Sequence, residues 1–157
     1  MGLKSDIAIV DDGGNLIAFH RMDNARIAGI DIAIGNAWTS AAMQMPTANL
    51  AQSALPGGAT FGINTTNRGR LVILGGGIPL VRDGEIAGGI GVSGGTSAQD
   101  VEVANAAVQV FEQARYTGLP SYANACRHLQ SADSPLPSGY NKESLDKKGL
   151  VMICLSS

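Results

Sequence analysis

The stretch Leu71–Asp100, LVILGGGIPLVRDGEIAGGIGVSGGTSAQD, constrains this chain more than any other. It carries three apolar runs, Leu71–Leu74, Ile78–Val81 and Ile86–Val92, punctuated by a Gly triplet, an Asp-Gly pair and a Gly-Gly step into a helical pattern. Asp83-Gly84 between β-branched runs predicts a hairpin, because a two-residue type I′ turn needs positive φ at both central positions. Thr96 with Gln99, or Ser97 with Asp100, offers an N-cap whose side chain satisfies backbone N–H groups that have no partner inside the helix. The stretch therefore reads as a strand, a hairpin and a helix start. Most of its glycines are architectural: Gly75–Gly77 and Gly88–Gly91 remove side chains where a helix or a neighbouring subunit approaches the sheet. Gly94-Gly95, at the helix entry, keeps a direct ligand role, since free N–H groups and the helix dipole favour anions there.

Upstream, Asp6–Val10 and Leu16–His20 are short apolar runs joined by the turn formers Asp11–Asn15, which predicts an antiparallel hairpin. Alternation places Leu16, Ala18 and His20 on one face of the second strand, and Ile17, Phe19 and Arg21 on the other. Asp11 and Asp12 suit a turn better than a cation site. Gly29–Met45 has helical spacing, with Ile30, Ala33, Ile34, Ala37, Trp38, Ala41 and Met45 on one face, and Pro46 ends it. Thr47–Ala54 reads as a short helix capped by Thr47. Ser97–Tyr116 reads as a long helix with two apolar stripes, so that it is buried on two sides. Residues 121–149 show no clear period, and the chain ends in the apolar run Leu150–Leu155.

With 157 residues the chain is long enough for one domain with a real core. A net charge of −2, no basic cluster and 4% aromatics argue against nucleic acid as a partner. No apolar run approaches the ~20 residues needed to span a bilayer. Acidic residues come too early for a signal peptide. The two cysteines, Cys126 and Cys154, fit neither a metal knuckle nor a redox pair. These features predict a soluble cytoplasmic protein. Low charge with many Gly and Ala further suggests that other subunits cover part of its surface.

The polar loop Phe61–Arg70, FGINTTNRGR, is the first candidate site. Asn64, Thr65, Thr66 and Asn67 beside Arg68 and Arg70 would suit an anionic or carboxylate-bearing ligand.

Taken in order, these elements resemble the GlcG/HbpS family of small haem-binding proteins, which includes the C-terminal domain of PduO-type proteins. The resemblance covers roughly residues 5–115. It rests on the first hairpin, the Arg21-Met22-Asp23 step, the Ala-rich helix, the segment Pro56–Arg70, and above all Gly75–Leu80 with Gly88–Gly95 and Gln99-Asp100. It implies an α+β domain with an antiparallel sheet of about five strands flanked by helices, in a profilin- or PAS-like arrangement. The domain would occupy 1–118 and be followed by an extension, 119–157, with no counterpart in relatives. It also implies homo-oligomers and haem as ligand, with haem degradation or iron handling in some relatives. Relatives commonly carry an additional N-terminal helix where only Met1–Ser5 stands here, and often Lys where this chain has Asn36.

Haem needs an axial donor and an apolar slot. His20 is the better of the two histidines for that role, and for any metal; His128 lies in the unfamiliar tail. Its propionates would suit Arg21, Arg68, Arg70 or the Gly94-Gly95 step. Two other readings stand beside this one. The first is an enzyme acting on a small organic substrate at the 61–70 loop, with Asp23 or His20 as acid/base. The second is a non-catalytic accessory subunit.

Overall fold

A computed structural model describes residues 2–116. The chain divides into two compact units, Met1–Val108 and Gln109–Ser157, and the sites discussed below belong to the first. The expected boundary at 118, Cys126, Cys154, His128 and the run Leu150–Leu155 all lie outside the described residues.

The two hairpins read from the sequence join into one antiparallel sheet. Strands β1 (Asp6–Asp11) and β2 (Leu16–Arg21) form the first, β3 (Gly77–Arg82) and β4 (Glu85–Ser93) the second. The order is β2-β1-β4-β3, with β1 and β4 central. Asp83 and Gly84 take φ of 53° and 85°, the pair of positive angles that a type I′ turn requires. The helices are α1 (Ala28–Met43), α2 (Thr47–Ser53) and α3 (Ser97–Tyr116). The architecture is α+β, with four strands in the described residues rather than about five.

The missing strand is Leu71–Leu74. Its apolar run has the composition of a strand, but side chains from elsewhere take the backbone groups around it. Val72 N–H donates to Thr39 Oγ1 at 3.0 Å, and Gly77 N–H donates to Thr47 Oγ1 at 2.9 Å. Thr47 is therefore not the cap of α2; Pro46 holds that position. α1 ends two residues before the expected Met45, on Gln44 in the left-handed region.

Helix α1 lies on one face of the sheet at very short range. Ala33, Ala37 and Ala41 meet Ala8 and Val10 of β1, with Ile34 and Ile86 at the fringe. A Cβ on Gly91 would collide with the Ala33 carbonyl and the Ala37 amide, and one on Gly89 with the Ala37 carbonyl. These glycines let the helix backbone rest directly on β4, as their spacing suggested. The buried arc of α1 is broader and more polar than the sequence predicted. Asn36, Thr39 and Ser40 are fully buried, while Ile30, Ile34, Trp38 and Met45 are only half-buried. On the sheet's other face the cross-strand neighbours Ile9 and Ile90 are both buried.

The β1–β2 register slips between Ile9 and Val10, so Leu16 lies opposite Val10 while Ala18 lies opposite Ile9. Leu16 therefore does not share the face of Ala18 and His20. β2 is an edge strand exposed along nearly all of its length.

Candidate functional site

One end of the sheet gathers most of the polar side chains that lack an evident structural duty. Arg21, Asp6 and Ser93 are successive neighbours across β2, β1 and β4. Asp6 has no exposed surface, and neither of its carboxylate oxygens has a hydrogen-bond partner among the described residues. Its nearest opposite charge is Arg21 Nε, 3.8 Å from Oδ1, an ion pair too long to be a hydrogen bond. Arg21 spends a shorter contact, 2.6 Å, on the carbonyl of Ala25. Gly29, in the first turn of α1, covers both Asp6 and Ser93; a Cβ there would strike Asp6 Oδ2.

The connector after β2 crosses this end of the sheet. Met22 N–H bonds the Ser5 carbonyl, and Arg26 Nη2 donates to the Gly94 carbonyl at 2.9 Å. A cavity of about 240 Å³ opens beneath it, walled in part by Arg26, Gly29, Ser93, Gly94, Gly95 and Asp100. Asp100 is buried and accepts the Gly95 N–H at 2.8 Å. Thr96 and Gln99 form the reciprocal cap of α3: Gln99 Oε1 accepts the Thr96 N–H, and Thr96 Oγ1 accepts the Gln99 N–H. Of the two N-caps open in the sequence, the first is the one used.

The sequence-derived site residues fall into two groups. His20 and Arg21 on β2, the exposed Asp23 just after it, and Gly94 and Gly95 at the cavity all lie toward the Asp6 end. Asn64, Thr65, Thr66 and Asn67 are exposed on two short 3₁₀ turns, and their side chains bond mainly within the loop. Arg70 stacks 4.4 Å from the centre of the Trp38 ring and donates to the Gly14 carbonyl at 3.3 Å. Gly14 belongs to the β1–β2 turn, at the opposite end of the hairpin from His20. From Ile7, which faces His20, to Asp11 the strand rises about 13 Å. The structure thus separates the Asn64–Arg70 loop from His20.

Arg70 has a structural role that its stacking explains. Its replacement by Ala is expected to cost about 1 kcal/mol, the loss of one partly exposed cation–π contact and one hydrogen bond. Trp38 is the only tryptophan, so its fluorescence reads this contact alone, and its emission should move to longer wavelength.

Asp11 does not offer itself to a cation. The Asn15 backbone N–H, at 2.7 Å, and the Asn15 amide bond its carboxylate and hold its carboxyl below the ordinary aspartate range. Among the described residues no group of three or more His, Cys, Asp or Glu side chains is placed to hold a metal ion. Nor is any helix among them long and apolar enough to cross a membrane.

Sequence reading missed Asp6, Arg26 and Ser93. Asp6 opens an apolar run, and its alternation with Ala8 and Val10 was the available signal that it points inward. Nothing local marks Arg26 or Ser93; they acquire a role only once β4 is laid beside β1.

Comparison with known proteins agrees with this architecture. The family model described as "Haem degrading protein HbpS-like" matches residues 1–109. An uncharacterized 15.0 kDa protein from the dhaT-dhaS intergenic region of Citrobacter freundii is 37% identical over 106 residues, which are 68% of this chain and 75% of that protein. Among solved structures, the PduOC:heme complex superposes with a TM-score of 0.66 at 36% identity, covering 68% of this chain and 78% of the other. A double mutant of Streptomyces reticuli HbpS gives a TM-score of 0.62 at 28% identity, covering 69% and 72%. The chain belongs to the HbpS-like family.

Proposed function

We propose that the protein binds haem or a related tetrapyrrole against strand β2, with His20 as the axial donor. The observation that carries this reading is the environment of His20. Its imidazole is exposed on an edge strand and has no hydrogen bond among the described residues, so its donor nitrogen is available to a metal centre. The same edge strand and the residue after it expose apolar side chains that a soluble protein ordinarily covers, Leu16, Ile17, Phe19 and Met22, with Phe19 on the opposite face from His20. A free imidazole on a strand that also exposes apolar side chains offers the donor and part of the apolar contact that a haem site needs.

The cavity at Gly94-Gly95 is a poor alternative for the macrocycle. At about 240 Å³ it is smaller than the roughly 300–1,000 Å³ of sites that enclose drug-sized ligands. The open strand accommodates a flat ring; the cavity does not. Arg21, at the end of β2 and 41% exposed, would meet a carboxylate arm. The haem-bound relative at 36% identity supports the ligand class. Bound iron would supply redox and oxygen chemistry, while the protein would supply orientation and the axial donor.

Titrating haem into the protein is expected to produce a saturable Soret band. In His20→Ala the band should move and the affinity fall at least about tenfold, the loss of one coordinate bond. Absence of any spectral change with excess haem would sink the reading. An unchanged band in His20→Ala would place the iron on another residue.

A further inference from the structure

We infer that the cavity at the Gly94-Gly95 step binds a small zwitterion, an amino-acid-sized molecule with one ammonium and one carboxylate. The inference does not rest on the haem reading, because it concerns the cavity and not the exposed strand β2, and its ligand contacts are other side chains.

The inner wall asks for a hydrogen-bond donor. Ser93 is only 8% exposed and lines the cavity, yet its hydroxyl meets no hydrogen-bond partner among the described residues. Beside it on β1, Asp6 is fully buried with both oxygens unpartnered among the described residues. Folded proteins rarely leave such groups unanswered, because a desolvated carboxylate without donors is costly. Gly29 is the residue that makes room. A Cβ there would strike Asp6 Oδ2 and come within 3.6 Å of Ser93 Oγ. An ammonium carries three donors and no acceptor, which complements a hydroxyl oxygen backed by a carboxylate.

The outer wall asks for an anion. Arg26 is exposed at the cavity and uses Nη2 on the Gly94 carbonyl, leaving other guanidinium N–H groups to grip a carboxylate. The first turn of α3 also borders the cavity, at Ser97, where a helix N-terminus favours negative charge. Between the two poles, Ile32 and Leu74 give an apolar wall for a short side chain.

Net charge decides the class of ligand. The cavity wall carries one Asp, Asp100, and one Arg, Arg26, with the Asp6–Arg21 ion pair behind it, so the site is formally neutral. A simple carboxylic acid would add an uncompensated negative charge beside Asp6, and a simple amine would add a positive one beside Arg26. A zwitterion adds neither, and it fits within about 240 Å³.

Calorimetric titration of the full-length protein with L-alanine tests this. Saturable binding is expected with a dissociation constant of about 1 mM or tighter, reasonable for so few atoms. Propionate and ethylamine, each keeping one pole, should bind at least tenfold more weakly, and so should L-lactate, which exchanges ammonium for hydroxyl. Ser93→Ala and Arg26→Ala should each weaken L-alanine about tenfold, with thermal unfolding confirming that both variants are folded. Arg26 is exposed, so that variant keeps the test decisive if Ser93→Ala does not fold. No saturable heat up to about 10 mM L-alanine overturns the proposal. So does lactate or propionate binding as tightly as alanine, or unchanged affinity in Arg26→Ala.

Discussion

Gly91→Ala is expected to destabilise the protein by about 3 kcal/mol or more, a large share of the roughly 5–15 kcal/mol of an ordinary domain. The added methyl would meet the Ala33 carbonyl oxygen and the Ala37 amide of α1. Both are backbone atoms in a regular helix, so no rotamer change relieves the contact. Either α1 moves away from β4, opening the Ala33–Ala37–Ala41 seam over Ala8 and Val10, or β4 bends and weakens its pairing with β1. Gly84→Ala provides the contrast. No atom lies within 4 Å of its added Cβ, but φ is +85°. Its cost is therefore left-handed backbone strain alone, about 1 kcal/mol. Denaturant midpoints of the two variants separate packing from strain. Equal midpoints would show that α1 backs away at no greater cost than the turn strain of Gly84→Ala.

That contrast also marks what could be read in advance. The Asp83-Gly84 turn follows from two residues whose backbone preferences are local, and the hairpin forms where those residues stand. The start of α3 is local for the same reason, through Thr96 and Gln99. The run Leu71–Leu74 could not be read this way. Its strand-like composition is overruled by Thr39 and Thr47, more than twenty residues away in sequence, whose hydroxyls take the amides of Val72 and Gly77. Helix α1 shows the same limit. Periodicity identifies a helix, but Asn36 is buried because its amide reaches the Val92 carbonyl at 3.1 Å, a contact invisible before β4 is placed. For the candidate site, residue chemistry drew Arg70 and His20 into one group. The fold parts them, since Arg70 finds Trp38 and Gly14 while His20 stays at the other end of the hairpin. Gly94-Gly95 was legible as a helix entry, whereas its companions Arg26 and Ser93 became visible only with the sheet register.

Asp6→Asn is expected to stabilise the protein by about 2 kcal/mol while removing its response to L-alanine. The wild-type side chain is wholly buried and has no hydrogen bond among the described residues, so it bears a desolvation cost of several kcal/mol. Two interactions oppose that cost. The N-terminus of α1 contributes about 1 kcal/mol to a nearby negative charge. Arg21 contributes less than a buried partner would, because it is 41% exposed, sits at 3.8 Å and is screened by solvent. The remainder favours a neutral side chain of the same shape. Retaining a carboxylate at such a position makes sense if its charge backs the Ser93 hydroxyl against an ammonium bound in the adjoining cavity. Denaturation with and without L-alanine separates the two effects. Ligand should raise the wild-type midpoint in proportion to the logarithm of its concentration and leave Asp6→Asn unmoved. A less stable Asp6→Asn would mean that α1 and Arg21 already satisfy the carboxylate, and the structural case for an ammonium beside it would be lost.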